Sequence, residues 1–151
     1  MKGEAVAIIP ARYDSERLPG KPLLPLAGIP LIIHVARRAA QANLVGRVIV
    51  ATDDKRILQA ATENGIEAVM TSRNAKSGTD RVAEAANALH EDIVVNVQGD
   101  EPLIEPSTID SAIQPLVDDS TIVMATTSEP IDSMDDVLNP NVVKVVTDSQ
   151  G

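Results

Sequence analysis

Three cationic side chains, Arg12, Arg17 and Lys21, lie close together in the stretch IIPARYDSERLPGKPL, residues 8–23. An arginine guanidinium offers a planar fork of donors that matches phosphate oxygens, and a lysine ammonium acts as a compact point charge. Gly20 precedes Lys21 and would let the backbone pass close to a ligand. The types and spacing of these residues predict a loop that holds a phosphate-bearing ligand.

This loop differs from the two common phosphate-binding loops. It contains neither the G-x-G-x-x-G of dinucleotide-binding folds nor the Gly-Lys-Ser/Thr of a Walker loop, both of which hold phosphate mainly through backbone N–H groups. Its prolines remove backbone donors, so side chains must supply the positive charge. The alternative is a surface loop in which Asp14 and Glu16 pair with the cations, because a lone basic loop is weakly specific.

A second polar loop, VNVQGDEPLI, carries Gln98, Asp100 and Glu101 around a glycine and before Pro102. Magnesium in proteins is typically held by one or two carboxylates together with substrate phosphates. A carboxylate in this loop and cations in the first loop are complementary halves of a metal–polyphosphate site. Taken alone, this loop has an alternative interpretation as a tight turn with solvated acids.

Two further loops precede helical patterns. In ATDDKR, Asp53 or Asp54 is placed to cap the following helix, and capping is the favoured explanation of these carboxylates. In KSGTDR, Ser77 begins a small polar turn, which is an ordinary cap and equally a place where N–H groups hold an anion or a base edge. Asp80 and Arg81 could simply be polar residues of the first turn, and the sequence leaves both interpretations open.

The loops follow short apolar runs that alternate with helical patterns. The runs are rich in β-branched residues and apolar on both faces, which is typical of buried parallel strands. They cover residues 5–9, 47–51, 67–70, 92–97, 121–126 and 141–147. Helical patterns cover residues 30–42, residues 57–61 with Gly65 as a stop, and residues 82–89.

Strand–helix alternation predicts an open, doubly wound, mostly parallel α/β sheet in one domain over residues 1–151. In such sheets ligands bind beyond the carboxyl ends of the strands, near the point where the strand order reverses. Because the cationic loop and the acidic loop both follow strands, they are expected to meet there.

The composition excludes several classes of function. A formal charge of −9 argues against a nucleic-acid or anionic-membrane partner, and the absence of cysteine excludes disulfide and zinc–thiolate sites. His34 is interpreted as a packed helix residue and His90 as a cation closing a helix. The apolar run in the N-terminal stretch MKGEAVAII is shorter than that of a signal peptide, and no apolar stretch approaches the length of a membrane span, so a soluble cytoplasmic protein is expected.

Five motifs resemble, in order and spacing, the family of 3-deoxy-manno-octulosonate cytidylyltransferases, the CMP-Kdo synthetases. They are IIPARYDSERLPGKPL, VIVATDD, KSGTDRVAEA, VNVQGDEPLI and LNPNVVKVV. Related sugar nucleotidyltransferases share a looser arginine–lysine signature, but not QGDEP together with SGTDR. The resemblance extends over essentially the whole chain and implies a Rossmann-like, glycosyltransferase-A-like nucleotidyltransferase fold.

The resemblance also implies a reaction. The family joins CTP and Kdo to give CMP-Kdo and pyrophosphate, requires Mg²⁺, and supplies lipopolysaccharide assembly in the bacterial cytoplasm. Carried over by motif, Arg12 and Lys21 hold the triphosphate and stabilise charge as pyrophosphate leaves, with Arg17 assisting from the same loop. Positioning and electrostatics are expected to carry most of the catalysis, without a dedicated protein base.

The remaining implied roles concern the metal and the base. Asp100 matches a magnesium ligand of the family. Ser77, Gln98 and the backbone near Ala11 match contacts to the cytidine. The family often has histidine two residues before this serine, and the residue here is Ala75, a tolerated change because the rest of the loop is intact.

A second departure is length. Family members continue beyond VVKVVTDSQG through a half that contributes the sugar pocket, a further metal carboxylate and the interface of a homodimer. The chain is therefore expected to hold the CTP-binding half, with the sugar-binding half absent. Alternatives are a cytidylyltransferase for another sugar acid such as sialic acid, a catalytically incomplete nucleotide-binding fragment, and an α/β interaction module. A receiver-like domain is disfavoured, because Asp53 and Asp54 are explained as caps.

Overall fold

The computed structural model describes residue 3, residues 5–14 and residues 18–149. Within them the strands are β1 (Ala5–Ala11), β2 (Pro25–Leu26), β3 (Ile29–Pro30), β4 (Val45–Thr52), β5 (Glu67–Met70) and β6 (Ile93–Asn96). The α-helices are α1 (Leu31–Ala39), α2 (Lys55–Glu63), α3 (Gly78–Ala86), α4 (Pro106–Asp118) and α5 (Met134–Leu138), and a short 3-10 helix covers Lys21–Leu23.

The main sheet has the order β5-β4-β1-β6, and every pair in it is parallel. Strand β1 is central, with Ile8 opposite Ile49 on one side and Asn96 on the other. The chain proceeds from β1 through β4 to β5, and then places β6 on the opposite side of β1. The strand order therefore reverses between β1 and β6, as the predicted doubly wound sheet requires.

Helices cover both faces of the sheet. Alternate side chains of β1 point to opposite faces, and each set packs against different helices. Ala7 and Ile9 pack with buried residues of α1, α2 and α4. Val6 and Ile8 pack on the other face with Val82 and Ala85 of α3. Burying one such branched side chain stabilises a fold by roughly 1.5–3 kcal/mol, so this aliphatic core needs little aromatic surface.

Helices α1, α2 and α3 form where the sequence patterns predicted helices, but α1 and α3 each end three residues earlier than predicted, and α4 and α5 were not predicted. Pro30 precedes the first residue of α1, and Gly65, with φ of 73°, follows the end of α2. Helix α3 ends at Ala86, so Leu89 and His90 lie beyond it and the interpretation of His90 as the closing cation is wrong. None of the helices in the described part of the chain has the length and apolar character needed to cross a bilayer.

Two predicted strands are wrong. Residues 121–126 and 141–147 have no regular structure, and Val123 and Val146 are each 92% exposed. An apolar, β-branched run becomes a strand only where a neighbour satisfies its N–H and C=O groups, and no described strand pairs with either segment. Residues 123–127 instead face β6 and α4 across a cavity of about 660 Å³.

Helix α2 begins with a charged cap. Asp54 accepts a hydrogen bond from the backbone N–H of Arg56 at 2.9 Å, and the Arg56 guanidinium donates to both Asp54 carboxylate oxygens. These bonds favour the ionised carboxylate and lower the pKa of Asp54 from 3.8 to about 2. The cap therefore contributes stability above about pH 4 that is lost as the pH falls towards 2.

We expect Asp54→Ala to lower the free energy of unfolding at neutral pH by about 1 kcal/mol, the usual cost of losing a cap. Asp54→Asn keeps a capping oxygen but cannot titrate, so it serves as the matched control. Both variants should lose less stability than the wild type between about pH 4 and pH 2, measured by urea unfolding. Parallel acid curves for the wild type and Asp54→Asn would show that this cap does not set the acid sensitivity.

Candidate active site

A cleft of about 310 Å³ opens at the carboxyl ends of β1 and β6, where the strand order reverses. Three segments form its walls: the loop after β1, the loop after β6, and the start of α3. Five of the predicted site residues line it, namely Arg12, Lys21, Ser77, Gln98 and Asp100. The expectation that the cationic and acidic loops meet at the reversal of strand order is confirmed.

The two loops meet through one ion pair. The Lys21 ammonium donates to a carboxylate oxygen of Asp100 at 2.8 Å, across 79 positions of sequence. The two side chains are 37% and 54% exposed, so water and a ligand reach both. The cation expected to hold phosphate and the carboxylate expected to hold metal therefore form an ion pair with each other.

The loop after β1 is closed by Gly20. Its N–H donates to the Tyr13 carbonyl at 2.8 Å, and its φ of 73° lies in the left-handed region. A Cβ at this position would also come within 3.1 Å of the Tyr13 ring. The Arg56 guanidinium covers the same ring at 3.4 Å from its centroid. The Tyr13 carbonyl thus closes the turn that precedes Lys21, and the Tyr13 ring leaves little room for a side chain at position 20.

The loop after β6 passes very close to the end of β1. A Cβ on Gly99 would lie 2.9 Å from the Pro10 carbonyl oxygen, so only glycine fits without moving the backbone. Gln98 on one side of this glycine is exposed, and its amide nitrogen lies 3.4 Å from the Asn96 side-chain oxygen. The close approach places Gln98 and Asp100 in the cleft on either side of Gly99.

The start of α3 forms the third wall. Ser77 caps this helix, since its hydroxyl accepts from the Asp80 N–H at 3.0 Å and donates to the Asp80 carboxylate at 2.9 Å. The capping interpretation of this turn is confirmed. Because the hydroxyl proton of Ser77 is already donated to Asp80, a contact from this residue to a nucleotide stays a prediction.

The structure separates the two carboxylates that the sequence left as alternative caps. Asp54 caps α2, whereas Asp53 reaches across to the Arg81 guanidinium at 2.9 Å. Arg81 is buried and also lines the cleft, so it is not the exposed polar residue of a first turn. No local pattern indicates this burial, because a charged residue near a helix start usually lies in solvent.

Lys76 is a further cleft residue that sequence reasoning missed. Its position directly before Ser77 in the motif KSGTDR was the available signal. Ala11 is the last residue of β1 and is buried, so the predicted contact through its backbone stays a prediction. Arg17 lies outside the described residues.

The cleft is positive in a chain that is strongly acidic. Within the described residues its lining holds four cations, Arg12, Lys21, Lys76 and Arg81, and two carboxylates pair with them: Asp100 of the lining with Lys21, and Asp53 behind it with Arg81. In this part of the chain no three potential metal ligands of the His, Cys, Asp and Glu types come together. One exposed carboxylate beside several cations suits a magnesium ion held jointly with phosphate oxygens, because such ions commonly take few protein ligands.

The known proteins most similar to this chain that we compared are cytidylyltransferases. A family model described as cytidylyltransferase matches residues 6–151. The 3-deoxy-manno-octulosonate cytidylyltransferase of Geotalea uraniireducens is 57% identical over 145 residues, which are 96% of this chain and 58% of that protein. The chain thus spans less than two thirds of the length of this curated relative.

Solved structures agree in fold. A structure of CMP:2-keto-3-deoxy-manno-octonic acid synthetase complexed with CTP superposes with a TM-score of 0.76 at 48% identity, over 78% of this chain and 49% of that one. A cytidylyltransferase from Leptospira borgpetersenii gives a TM-score of 0.66 at 27% identity, over 78% and 50% of the two chains. The resemblance drawn from the motifs is confirmed, and the chain belongs to the cytidylyltransferase family.

Proposed function

We propose that this chain forms the CTP-binding part of a 3-deoxy-manno-octulosonate cytidylyltransferase, which transfers CMP from CTP to Kdo and releases pyrophosphate. The observation that carries the proposal is the contact between Lys21 and Asp100 at 2.8 Å, inside a cleft that holds three further cations. The names of the similar proteins supply the nucleotide and the sugar acid.

In the proposed reaction, the anomeric hydroxyl oxygen of Kdo attacks the α-phosphorus of CTP in line. A P–O bond forms to the sugar while the bond to the β-phosphate oxygen breaks, pyrophosphate leaves, and the hydroxyl proton passes to water. Negative charge accumulates on the departing phosphates, and Arg12 and Lys21 are the cations placed to stabilise it. Such catalysis requires positioning and charge rather than a protein base.

We propose Asp100 as the protein ligand of the magnesium ion. When bound, the metal neutralises phosphate charge and helps to orient the triphosphate. Asp100 would exchange its contact with Lys21 for the metal, which frees the ammonium for a phosphate oxygen. We further propose that Gln98, from the same loop as Asp100, and Ser77, from the start of α3, contact the cytidine.

We place the reaction in the cytoplasm, in the supply of activated Kdo to lipopolysaccharide assembly, and we expect the full-length enzyme to be a homodimer. The exposed apolar side chains after α4, such as Val123, Met124 and Val143, are a surface that such an assembly would cover. Light scattering of the full-length protein tests the dimer.

The first test is calorimetric titration of the 151-residue chain with CTP, with and without Mg²⁺, and with ATP as the control. We expect saturable binding that prefers CTP and strengthens with magnesium. Kdo-dependent pyrophosphate release by the full-length enzyme, with sialic acid as the competing acid, then tests the transfer. A folded chain that does not bind CTP in either condition would contradict the proposed role.

The variant Asp100→Asn distinguishes the contribution of Mg²⁺ to CTP affinity from that of the nucleotide contacts alone. We expect the variant to bind CTP without Mg²⁺ at least as tightly as the wild type, because Lys21 is released and one negative charge is lost. The gain in affinity on adding Mg²⁺ should largely disappear. Glu101→Gln, the same type of change at the adjacent exposed carboxylate, is the matched control and should keep the gain. An unchanged magnesium response in Asp100→Asn would remove Asp100 as the ligand.

The variant Lys21→Ala tests whether Lys21 contributes to CTP affinity rather than to the free energy of unfolding. An exposed ion pair contributes about 0–1 kcal/mol to stability, so the free energy of unfolding should change by no more than this. Affinity for CTP should fall at least about tenfold, since a charge-assisted bond to phosphate is lost. Lys55→Ala, which removes an exposed lysine of α2, should leave CTP binding unchanged. Normal CTP affinity in Lys21→Ala would contradict the assignment.

A further inference from the structure

Arg81 is the most deeply buried charged side chain that contacts the cleft, with 4% of the side chain exposed. Its guanidinium donates to Asp53 at 2.9 Å, to the Thr71 hydroxyl, and to the Ser72 carbonyl at 3.4 Å. Arginine is almost never fully buried unless it is paired, and here every named partner belongs to a different segment from α3. The burial calls for an explanation beyond helix formation.

The partners lie at the carboxyl ends of two neighbouring strands. Asp53 directly follows β4, and Thr71 directly follows β5. Thr71 is itself buried, and its N–H donates to the Thr52 carbonyl at 2.8 Å. One guanidinium therefore joins the ends of β4 and β5 to the first turns of α3.

The loop between these anchors, residues 72–77, carries the third wall of the cleft. Its residues are exposed apart from the half-buried Ala75, so the loop has little apolar packing of its own. Arg81 holds one end through Thr71 and Ser72. At the other end, the Arg81 N–H donates to the Ser77 carbonyl at 3.2 Å. The bond to Ser77 is the first backbone bond of α3 and does not depend on the side chain, so the Arg81 guanidinium fastens the loop at the Thr71 end, where the Ser72 N–H also donates to Glu84.

The ion pair between Arg81 and Asp53 is not expected to add much to the free energy of unfolding. Removing two charges from water is costly, and the attraction between them often does no more than offset that cost. The burial of Arg81 is better explained as a tether that fixes the geometry of a polar loop. Residues that contact a ligand can lose most of their contribution when they are misplaced by about an ångström.

We propose that Arg81 is a positioning residue for nucleotide recognition: with Asp53 and Thr71 it holds residues 72–77 in the conformation that presents Lys76 and Ser77 to the cleft. The inference rests on the proposed function only in taking the nucleotide to be CTP. It assigns to Arg81 no contact with the reacting atoms. Its effect on recognition acts through the loop.

The tether is tested without nucleotide by hydrogen exchange of the 151-residue chain. The amides of Ser72 and Asn74 donate to Glu84 at 2.6 Å and to the Ser72 hydroxyl at 3.0 Å, so they report on the loop. In Arg81→Met and in Thr71→Val, these amides should exchange at least about tenfold faster, while the amides of β1 keep their protection. Thr71→Val retains the ion pair and guards against a variant that fails to fold.

The matched control is Arg47→Met. Arg47 also pairs with two acidic side chains, Glu67 at 2.6 Å and Glu91 at 2.8 Å, but it does not line the cleft. This variant is expected to leave exchange of residues 72–77 unchanged. Equal loop exchange in the wild type, Arg81→Met and Thr71→Val would overturn the inference.

Recognition is tested by the ratio of the Kd for UTP to the Kd for CTP, measured on folded variants. The ratio should fall towards one in Arg81→Met and recover in part in Arg81→Lys, whereas Lys21→Ala should weaken both nucleotides alike. A purely structural role would lower the number of binding sites and leave the ratio unchanged, which would overturn the inference. If the wild type bound no CTP, the proposed function would fail, and the exchange result alone would decide whether the tether exists.

Discussion

The central position of β1 constrains everything else in the structure. This strand pairs with β4 on one side and β6 on the other, and its side chains are buried on both faces. Every neighbour in the sheet is parallel to it, so the carboxyl ends of the strands lie at one edge. The reversal of strand order beside β1 leaves a gap at that edge, and Arg12, Gln98 and Asp100 line it because the chain must turn there.

Charge is distributed to suit a small polyanion. The chain carries a formal charge of −9, yet the described lining of the cleft has an excess of cations. A broad basic surface would attract extended polyanions, whereas a positive cleft in an acidic surface favours a compact one. The ion pair of Lys21 and Asp100 neutralises part of this charge.

Much of the fold and of the cleft could be predicted from the sequence. Short apolar runs rich in β-branched residues located the four strands of the main sheet, because this composition is typical of parallel strands even where, as in β5 and β6, part of the strand is exposed. The positions of Lys21 and Asp100 after different strands predicted their proximity, since a parallel sheet brings carboxyl ends together. The runs at residues 121–126 and 141–147 were wrongly predicted as strands. Their composition favours a strand, but it does not show whether a partner strand is present.

The part that could not be predicted depends on contacts distant in sequence. Nothing local shows that Asp53 turns away from α2 while Asp54 caps it, because both carboxylates suit a helix start. Arg81 likewise resembles an exposed helical residue until β4 and β5 are placed around it. The requirement for glycine at positions 20 and 99 could not be predicted either. It arises because the Tyr13 ring and the Pro10 carbonyl exclude a side chain at these positions.

We propose that nucleotide and metal meet at the reversal of strand order, and paramagnetic broadening of amide signals tests their meeting most directly. With Mn²⁺ in place of Mg²⁺, both being ions that prefer oxygen ligands, the ¹⁵N-labelled chain would be observed with and without CTP. We predict CTP-dependent broadening at Lys21, Gly99 and Asp100. Broadening centred elsewhere, for example at Asp118 and Asp119, or equally strong broadening without CTP, would contradict the account.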